Sequence, residues 1–261
     1  MTRLRAVIFD LDDTLYPERS YVLSGFQAVA KWVESTLAIP AAKTAHELET
    51  MYTQGIRGHT FGLWLEQQGV DGQRDELVRQ MVAAYREHEP KLTPFDGIAK
   101  LLNDLGRQCK LGLITDGYLA VQQRKWQSLP FSRAFHAVVF SDTFGRQHWK
   151  PSHVPFEAAL RKLQVAPETA LYVGDNPAKD FLGARQLGMK TIRFRPSGGE
   201  HALAEPESSL HAPDTTVENV QDLRLCLLNL LGSYPGRQSY NSPTSIVGFN
   251  SCGIMDHSEK R

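Results

Sequence analysis

The chain has 261 residues, of which 41% are hydrophobic and 22% charged, and its 29 Lys and Arg are balanced by 29 Asp and Glu. That length accommodates one or two domains, with room for a full core and an inserted module. Zero net charge excludes a general attraction to nucleic acid or to an anionic membrane surface, so a phosphate-bearing ligand must be held by local groups.

Met1 to Arg5 is basic, but only Ala6 to Phe9 is continuously apolar before Asp10. That run is too short for a signal peptide, and no apolar run approaches the ~20 residues of a membrane span. Ala6 to Phe9 instead predicts a short buried strand of a parallel sheet, ending in acids. From Tyr16 to Pro94 no strand pattern occurs. Val22, Phe26, Val29, Val33 and Leu37 share one helix face, and Pro40 is expected to close that helix. Further helices are predicted around Leu48 to Tyr52, Phe61 to Leu65 and Leu77 to Tyr85.

Four more strands are predicted at Leu111 to Ile114, Ala137 to Phe140, Ala170 to Val173 and Thr191 to Phe194. Between them, Ile98 to Leu105 and Phe156 to Leu163 carry apolar stripes, and a segment around Leu182 to Leu187 stops at Gly188. This alternation predicts an α/β fold with a doubly wound, Rossmann-like parallel sheet. The expected core is 1–15 with 94–231, and the expected all-helical insertion is 16–93. Ser197 to Thr216 reads as loop and Val220 to Leu231 as a last helix. The stretch 232–261, rich in Ser, Gly, Asn and Pro, is expected to be a mobile tail. Cys109, Cys226 and Cys252 are too few and too scattered for a disulfide framework or a zinc site, which fits a reducing cytoplasm.

Four polar clusters follow predicted strands, where ligands bind in an open parallel sheet. In Asp10-Leu11-Asp12-Asp13-Thr14 two alternating carboxylates repel each other unless a cation or a proton lies between them. A hard divalent ion such as magnesium suits oxygen ligands, and one carboxylate can then attack while the other moves a proton. Thr115-Asp116-Gly117 offers a hydroxyl and backbone N–H groups for a phosphoryl oxygen. Lys150 precedes a helix and can neutralise developing charge. In Gly174-Asp175-Asn176-Pro177-Ala178-Lys179-Asp180, Asp175 can ligate a metal and Asp180 can bond its waters or Lys150. Taken singly, each cluster also reads as a solvated turn, a helix cap or a surface lysine.

Together and in this order, the clusters resemble those of the haloacid dehalogenase-like hydrolase superfamily, over roughly residues 4 to 195. The resemblance implies that Asp10 is a nucleophile and Asp12 a general acid/base. It implies that Thr115, Asp116 and Lys150 bind phosphate, with Asp116 offering its backbone N–H. It further implies that magnesium is held by Asp10, Asp175 and the carbonyl of Asp12. Thr14 and Asp180 are expected in support, and the helical insertion looks like the superfamily's C1-type cap. Ile114 to Tyr118 followed by Gln122-Gln123 is similar to pyrimidine nucleotidases and N-acylneuraminate-9-phosphatases. The expected activity is magnesium-dependent hydrolysis of a small phosphorylated metabolite, a sugar phosphate or a nucleoside monophosphate, through a phosphoaspartate. Asp12 argues against metal-free dehalogenation. A phosphosugar mutase and an idle binding module are the alternatives. In the insertion, Arg57 and His59 on the loop Gln54 to Thr60 are candidates to contact substrate.

Overall fold

The computed structural model describes residues 3–70 and 72–232. The expected tail therefore lies outside the described residues, except for Gly232. Six parallel strands form one sheet in the order β3-β2-β1-β4-β5-β6. They are β1 (Ala6–Phe9), β2 (Lys110–Thr115), β3 (Ala137–Phe140), β4 (Ala170–Gly174), β5 (Lys190–Phe194) and β6 (Thr215–Val217). The five strands expected from apolar runs are all present. The sixth falls in the stretch expected to be loop. It is a three-residue edge strand whose two threonines are exposed and whose Val217 alone is buried, so it carries no apolar run.

Side chains on β1 alternate between two cores, as strand geometry requires. Val7 and Phe9 join the apolar cluster that also holds Leu102, Trp126 and Leu223, from α5 (Ile98–Gly106), α6 (Leu119–Gln127) and α9 (Val220–Leu231). Ala6 and Ile8 face the opposite cluster, with Phe156 and Ala184 from α7 (Val154–Leu163) and α8 (Leu182–Gln186). Helices thus cover both faces of the sheet, the doubly wound arrangement.

Between β1 and β2 run α1 (Glu18–Leu37), α2 (Ala41–Thr53), α3 (Thr60–Gln67) and α4 (Arg74–Glu87). They pack around their own buried cluster, which includes Phe26, Val33, Leu48, Trp64 and Met81. Pro40 does not close α1. The helix ends at Leu37 with Ala38 left-handed, and Pro40 is the residue from which α2 starts. No helix among the described residues is long and apolar enough to cross a membrane.

The strand order reverses direction at the centre of the sheet. The chain moves outward from β1 to β2 and β3, then crosses back to β4 on the other side of β1. Such a switch point opens a crevice at the carboxyl ends of the central strands. Phe9 is in register with Leu113 on one side and Val173 on the other. The residues that follow these three therefore emerge together, which brings Asp10, Thr115 and Asp175 to one place.

Candidate active site

Asp10 leaves β1 fully inside the protein, 2% exposed, with its N–H donating to the Val173 carbonyl at 2.8 Å. Lys150 reaches it from the loop between β3 and α7. Its ammonium lies 2.7 Å from Asp10 Oδ1 and 2.7 Å from Asp180 Oδ1, and donates to the Tyr172 hydroxyl at 2.9 Å. The other oxygen of Asp180 accepts the Asn176 N–H at 2.8 Å. Gly174 makes this approach possible, because a Cβ there would lie 2.5 Å from Asp180 Oδ2. Burial works against the Lys150 charge, but Asp10, Asp180 and Asp116 outweigh it and hold the ammonium far above its ordinary range. Burial likewise pushes Asp180 up, and Lys150 and Lys179 overcome it, so that carboxyl stays below the usual value.

Asp10, Asp175 and Asp180 each offer an oxygen, and these three oxygens lie within 4.8 Å of one another. The Lys150 ammonium meets two of these carboxylates, Asp10 and Asp180, and Lys179 acts on all three. Burial, opposed by Lys150 and reinforced by Asp180, raises Asp10 to about 6. Burial, Asp180 and Asp10 raise Asp175 well above a normal carboxylate. Asp10 Oδ2 is buried without a hydrogen-bond partner. Crowded carboxylates, an unpartnered buried oxygen and an all-oxygen donor set fit a hard divalent cation.

Asp12 belongs to a second cluster. Lys125 on α6 binds both of its oxygens, at 2.9 and 3.0 Å, and Gln122 donates to it at 3.0 Å. The Tyr16 hydroxyl donates to the same carboxylate. Burial raises Asp12, but Lys125, Gln122 and Tyr16 outweigh it and hold the carboxyl below its ordinary value. The Asp12 carboxylate, expected to share a cation with Asp10, is thus bound by Lys125, Gln122 and Tyr16 and is not one of the three grouped with Asp10. Two polar residues one helical turn apart on α6, Gln122 and Lys125, draw this carboxylate aside. The Lys125 ammonium also stands 4.3 Å from the centre of the Tyr21 ring, which belongs to α1.

Gln122 also donates to Thr115 Oγ1 and to the Asp116 carbonyl, both at 2.6 Å. The Asp116 carboxylate accepts the Lys150 backbone N–H at 3.3 Å. Thr14 is buried with an unpartnered hydroxyl. Glu18 opens α1 over the same site, and burial followed by the nearby Asp12 charge raises it to about 7. Lys179 lies beside the acids too. Its ammonium is held well above its ordinary value by Asp10, Asp180 and Asp116, against burial and Lys150.

Asp13 adopts a left-handed φ of 50°, uncommon for a residue other than glycine. Its two oxygens accept the Glu18 and Glu200 N–H groups, each at 2.8 Å. Glu200 in turn pairs with Arg57 at 3.0 Å and accepts the Tyr52 hydroxyl at 3.2 Å. Arg57, a candidate to contact substrate, is therefore tied to the loop that follows β5, while His59 is exposed. Next to Glu200, the His201 carbonyl accepts from Arg193, whose Nε donates to the Asp175 carbonyl at 3.0 Å. Sequence reasoning assigned no role to Lys125, Glu200 or Arg193, and saw Gln122 only as part of a pattern. The one available signal was Gln122 and Lys125 sharing a face just after Thr115.

The description "haloacid dehalogenase-like hydrolase" matches residues 7–194. A glyceraldehyde 3-phosphate phosphatase from Methanopyrus kandleri is 33% identical over 229 residues, covering 84% of this chain and 95% of that protein. An N-acetylmuramic acid 6-phosphate phosphatase from Pseudomonas aeruginosa is 26% identical over 197 residues, covering 74% and 82% of the two chains. Among solved structures, the hydrolase YfnB from Bacillus subtilis, bound to magnesium, is similar with a TM-score of 0.61. It is 19% identical and covers 88% of this chain and 99% of its own.

Proposed function

The chain belongs to the haloacid dehalogenase-like hydrolases, and from that premise we propose that it hydrolyses a small phosphate monoester through a phosphoaspartate on Asp10. The observation that carries this reading is the free, buried Asp10 Oδ2 at the switch point, beside Lys150 and level with Thr115. Asp10 is held rigidly at the end of β1, so its oxygen needs no reorganisation to attack phosphorus. Lys150, the Thr115 hydroxyl and the Asp116 N–H would hold the phosphoryl oxygens and offset charge in the transition state.

With a proton brought in by the substrate monoanion, Asp12 would protonate the departing oxygen, then take a proton from the water that attacks the phosphoaspartate. That second step releases phosphate and restores Asp10. Magnesium would be held by Asp10, Asp175 and the Asp12 carbonyl, with Asp180 in support. Bound there, it supplies positive charge that lets a carboxylate approach a phosphate anion. Residues 16–93 act in this reading as a cap over the site and 1–15 with 94–231 as the core. A cytoplasmic setting goes with it, and Cys109 and Cys226 are both unpaired.

Two relatives named as phosphatases of small phosphorylated compounds support the substrate class. A panel of sugar phosphates and nucleoside monophosphates, assayed for phosphate release with and without magnesium, tests it. Asp10→Asn should remove turnover while the protein still folds. Undiminished phosphate release by folded Asp10→Asn would overturn the assignment.

A further inference from the structure

At the end of the sheet opposite the candidate active site lies a half-open cavity of about 670 Å³. It forms where the chain enters β1, turns from α5 into β2, and approaches β3 and β4. Arg3, Arg5, Arg107 and Lys110 line it together with His136, and no Asp or Glu does. Four cations without an acid are a local excess of charge in a chain whose net charge is zero.

The backbone ties these segments to one another. The Arg5 N–H donates to the Thr169 carbonyl at 2.8 Å, and the Lys110 N–H donates to the Arg5 carbonyl at 2.9 Å. The His136 N–H donates to the Leu111 carbonyl at 2.8 Å, and the His136 ring accepts the Leu111 N–H on Nδ1 at 3.1 Å. A neutral ring then carries its proton on Nε2, which adds a donor on an exposed side chain. Leu4 and Cys109, also on the lining, are buried in the apolar core and anchor the walls.

The cations are uncommitted. Among the described residues no carboxylate pairs with Arg3, Arg5, Arg107 or Lys110, whereas Arg19, Arg185 and Arg224 each meet one. The Lys110 ammonium donates to the Leu163 carbonyl at 2.7 Å, which leaves two of its N–H groups for another acceptor. The arginines are not needed to cap α5 either, because the Leu105 carbonyl already accepts the Gln108 and Cys109 N–H groups, at 2.8 and 2.9 Å. Like charges gathered around a concavity repel one another and attract anions from solution.

We propose that this cavity is a binding site for a small anion carrying a diphosphate group, separate from the site around Asp10. The inference is independent of the phosphatase reading. The volume lies within the ~300–1,000 Å³ of small-molecule sites and exceeds what one phosphate fills. The cations come from two stretches of chain, 3–5 and 107–110, so two linked phosphates meet them better than one. Guanidinium forks match phosphate oxygens in pairs. β2 runs from Lys110 at this cavity to Thr115 at the candidate active site, about 17 Å at ~3.3 Å per residue, so the two sites fill separately.

The test is calorimetric titration of the full chain in chelator, with inorganic pyrophosphate and with ADP as probes. Both should bind. Equal affinities would mean that the diphosphate alone is recognised, and tighter ADP that the cavity takes a nucleoside as well; either supports the site. Arg5→Glu with Arg107→Glu should weaken binding about tenfold or more, because charge-assisted contacts are lost and like charges face the ligand. Arg3→Ala with Arg107→Ala is a milder second pair, and melting curves establish that each variant is folded. Asp10→Asn should bind both probes as the unaltered chain does. Binding that persists in every folded charge variant would overturn the site. Binding lost in Asp10→Asn would put the probes at the candidate active site and overturn it too. So would failure of both probes to bind at ~1 mM, or RNA or phosphatidylglycerol vesicles binding more tightly than either probe and being lost in the same variants.

Discussion

Magnesium should stabilise this protein far more at pH 8 than at pH 5. The argument starts from Asp10, which rises from 3.8 to about 6 chiefly because burial penalises its charge. A carboxyl raised on folding favours the folded state fully below its unfolded value near pH 4. That contribution is lost as pH rises through about 6. Moving from 3.8 to about 6 corresponds to about 3 kcal/mol in all, of which roughly half is lost above pH 5. Asp175 and Glu18 move in the same direction and add to the loss. Asp12 and Asp180 are depressed, so their contributions are present above pH 4 and vanish only in stronger acid. They leave the interval from pH 5 to 8 undisturbed.

Without metal, then, the chain should lose roughly 1.5 kcal/mol from Asp10 across that interval, and more with Asp175 and Glu18. At ~2–4 °C per kcal/mol for chains of this size, the melting temperature should fall by at least roughly 3–6 °C. A divalent cation among the three carboxylates removes the penalty by binding the ionised form, so its effect must grow with pH. The assay is thermal unfolding followed by circular dichroism, in chelator and in millimolar magnesium, at pH 5 and pH 8. Asp10→Asn cannot ionise and should make the metal-free profile less steep, with Asp175 and Glu18 still contributing. An equal magnesium shift at both pH values, or a metal-free melting temperature that does not fall with pH, would refute the reasoning.

Two further substitutions probe the supports. Lys125→Met leaves the Asp12 carboxylate without the ammonium that binds both its oxygens, and breaking so enclosed a pair should cost about 3 kcal/mol in urea unfolding; a change within 0.5 kcal/mol would show that water replaces the lysine. Gly174→Ala drives a methyl against Asp180 Oδ2, so it should cost about 2 kcal/mol and weaken magnesium binding measured by calorimetry; unaltered affinity would mean that Asp180 is not part of the metal's surroundings.

The strands that carry the central acids were legible because they obey one rule. A parallel strand covered on both faces must be apolar throughout, and β1 and β4 are followed directly by their acids. α6 was not legible, because its buried residues include Gln122 and Lys125, which replace the apolar stripe that periodicity detects. The partner of Asp12 was hidden for the same reason. Residues 113 positions apart meet only once the sheet is assembled, and no local spacing encodes the meeting. Arg57 was visible as a cation on a polar loop, but its partner Glu200 lies in a stretch of the chain without periodicity. β6 escaped because only one of its three side chains is buried.

The position of β1 at the centre of the sheet also sets an order of assembly. Its two neighbours, β2 and β4, are made of residues 110–115 and 170–174, so the strand of this sheet that is made first is among the last to be paired on both edges. Translation at ~5–20 residues per second leaves Ala6–Phe9 without β4 for roughly 10–30 s. The four helices of the insertion depend on local contacts and can fold in that interval, ahead of the sheet that flanks them in sequence. An apolar, β-branched segment waiting that long is a hazard for aggregation. Newly made chains should therefore engage chaperones through Ala6–Phe9, and the surroundings of Asp10 are complete only once β4 has paired beside it.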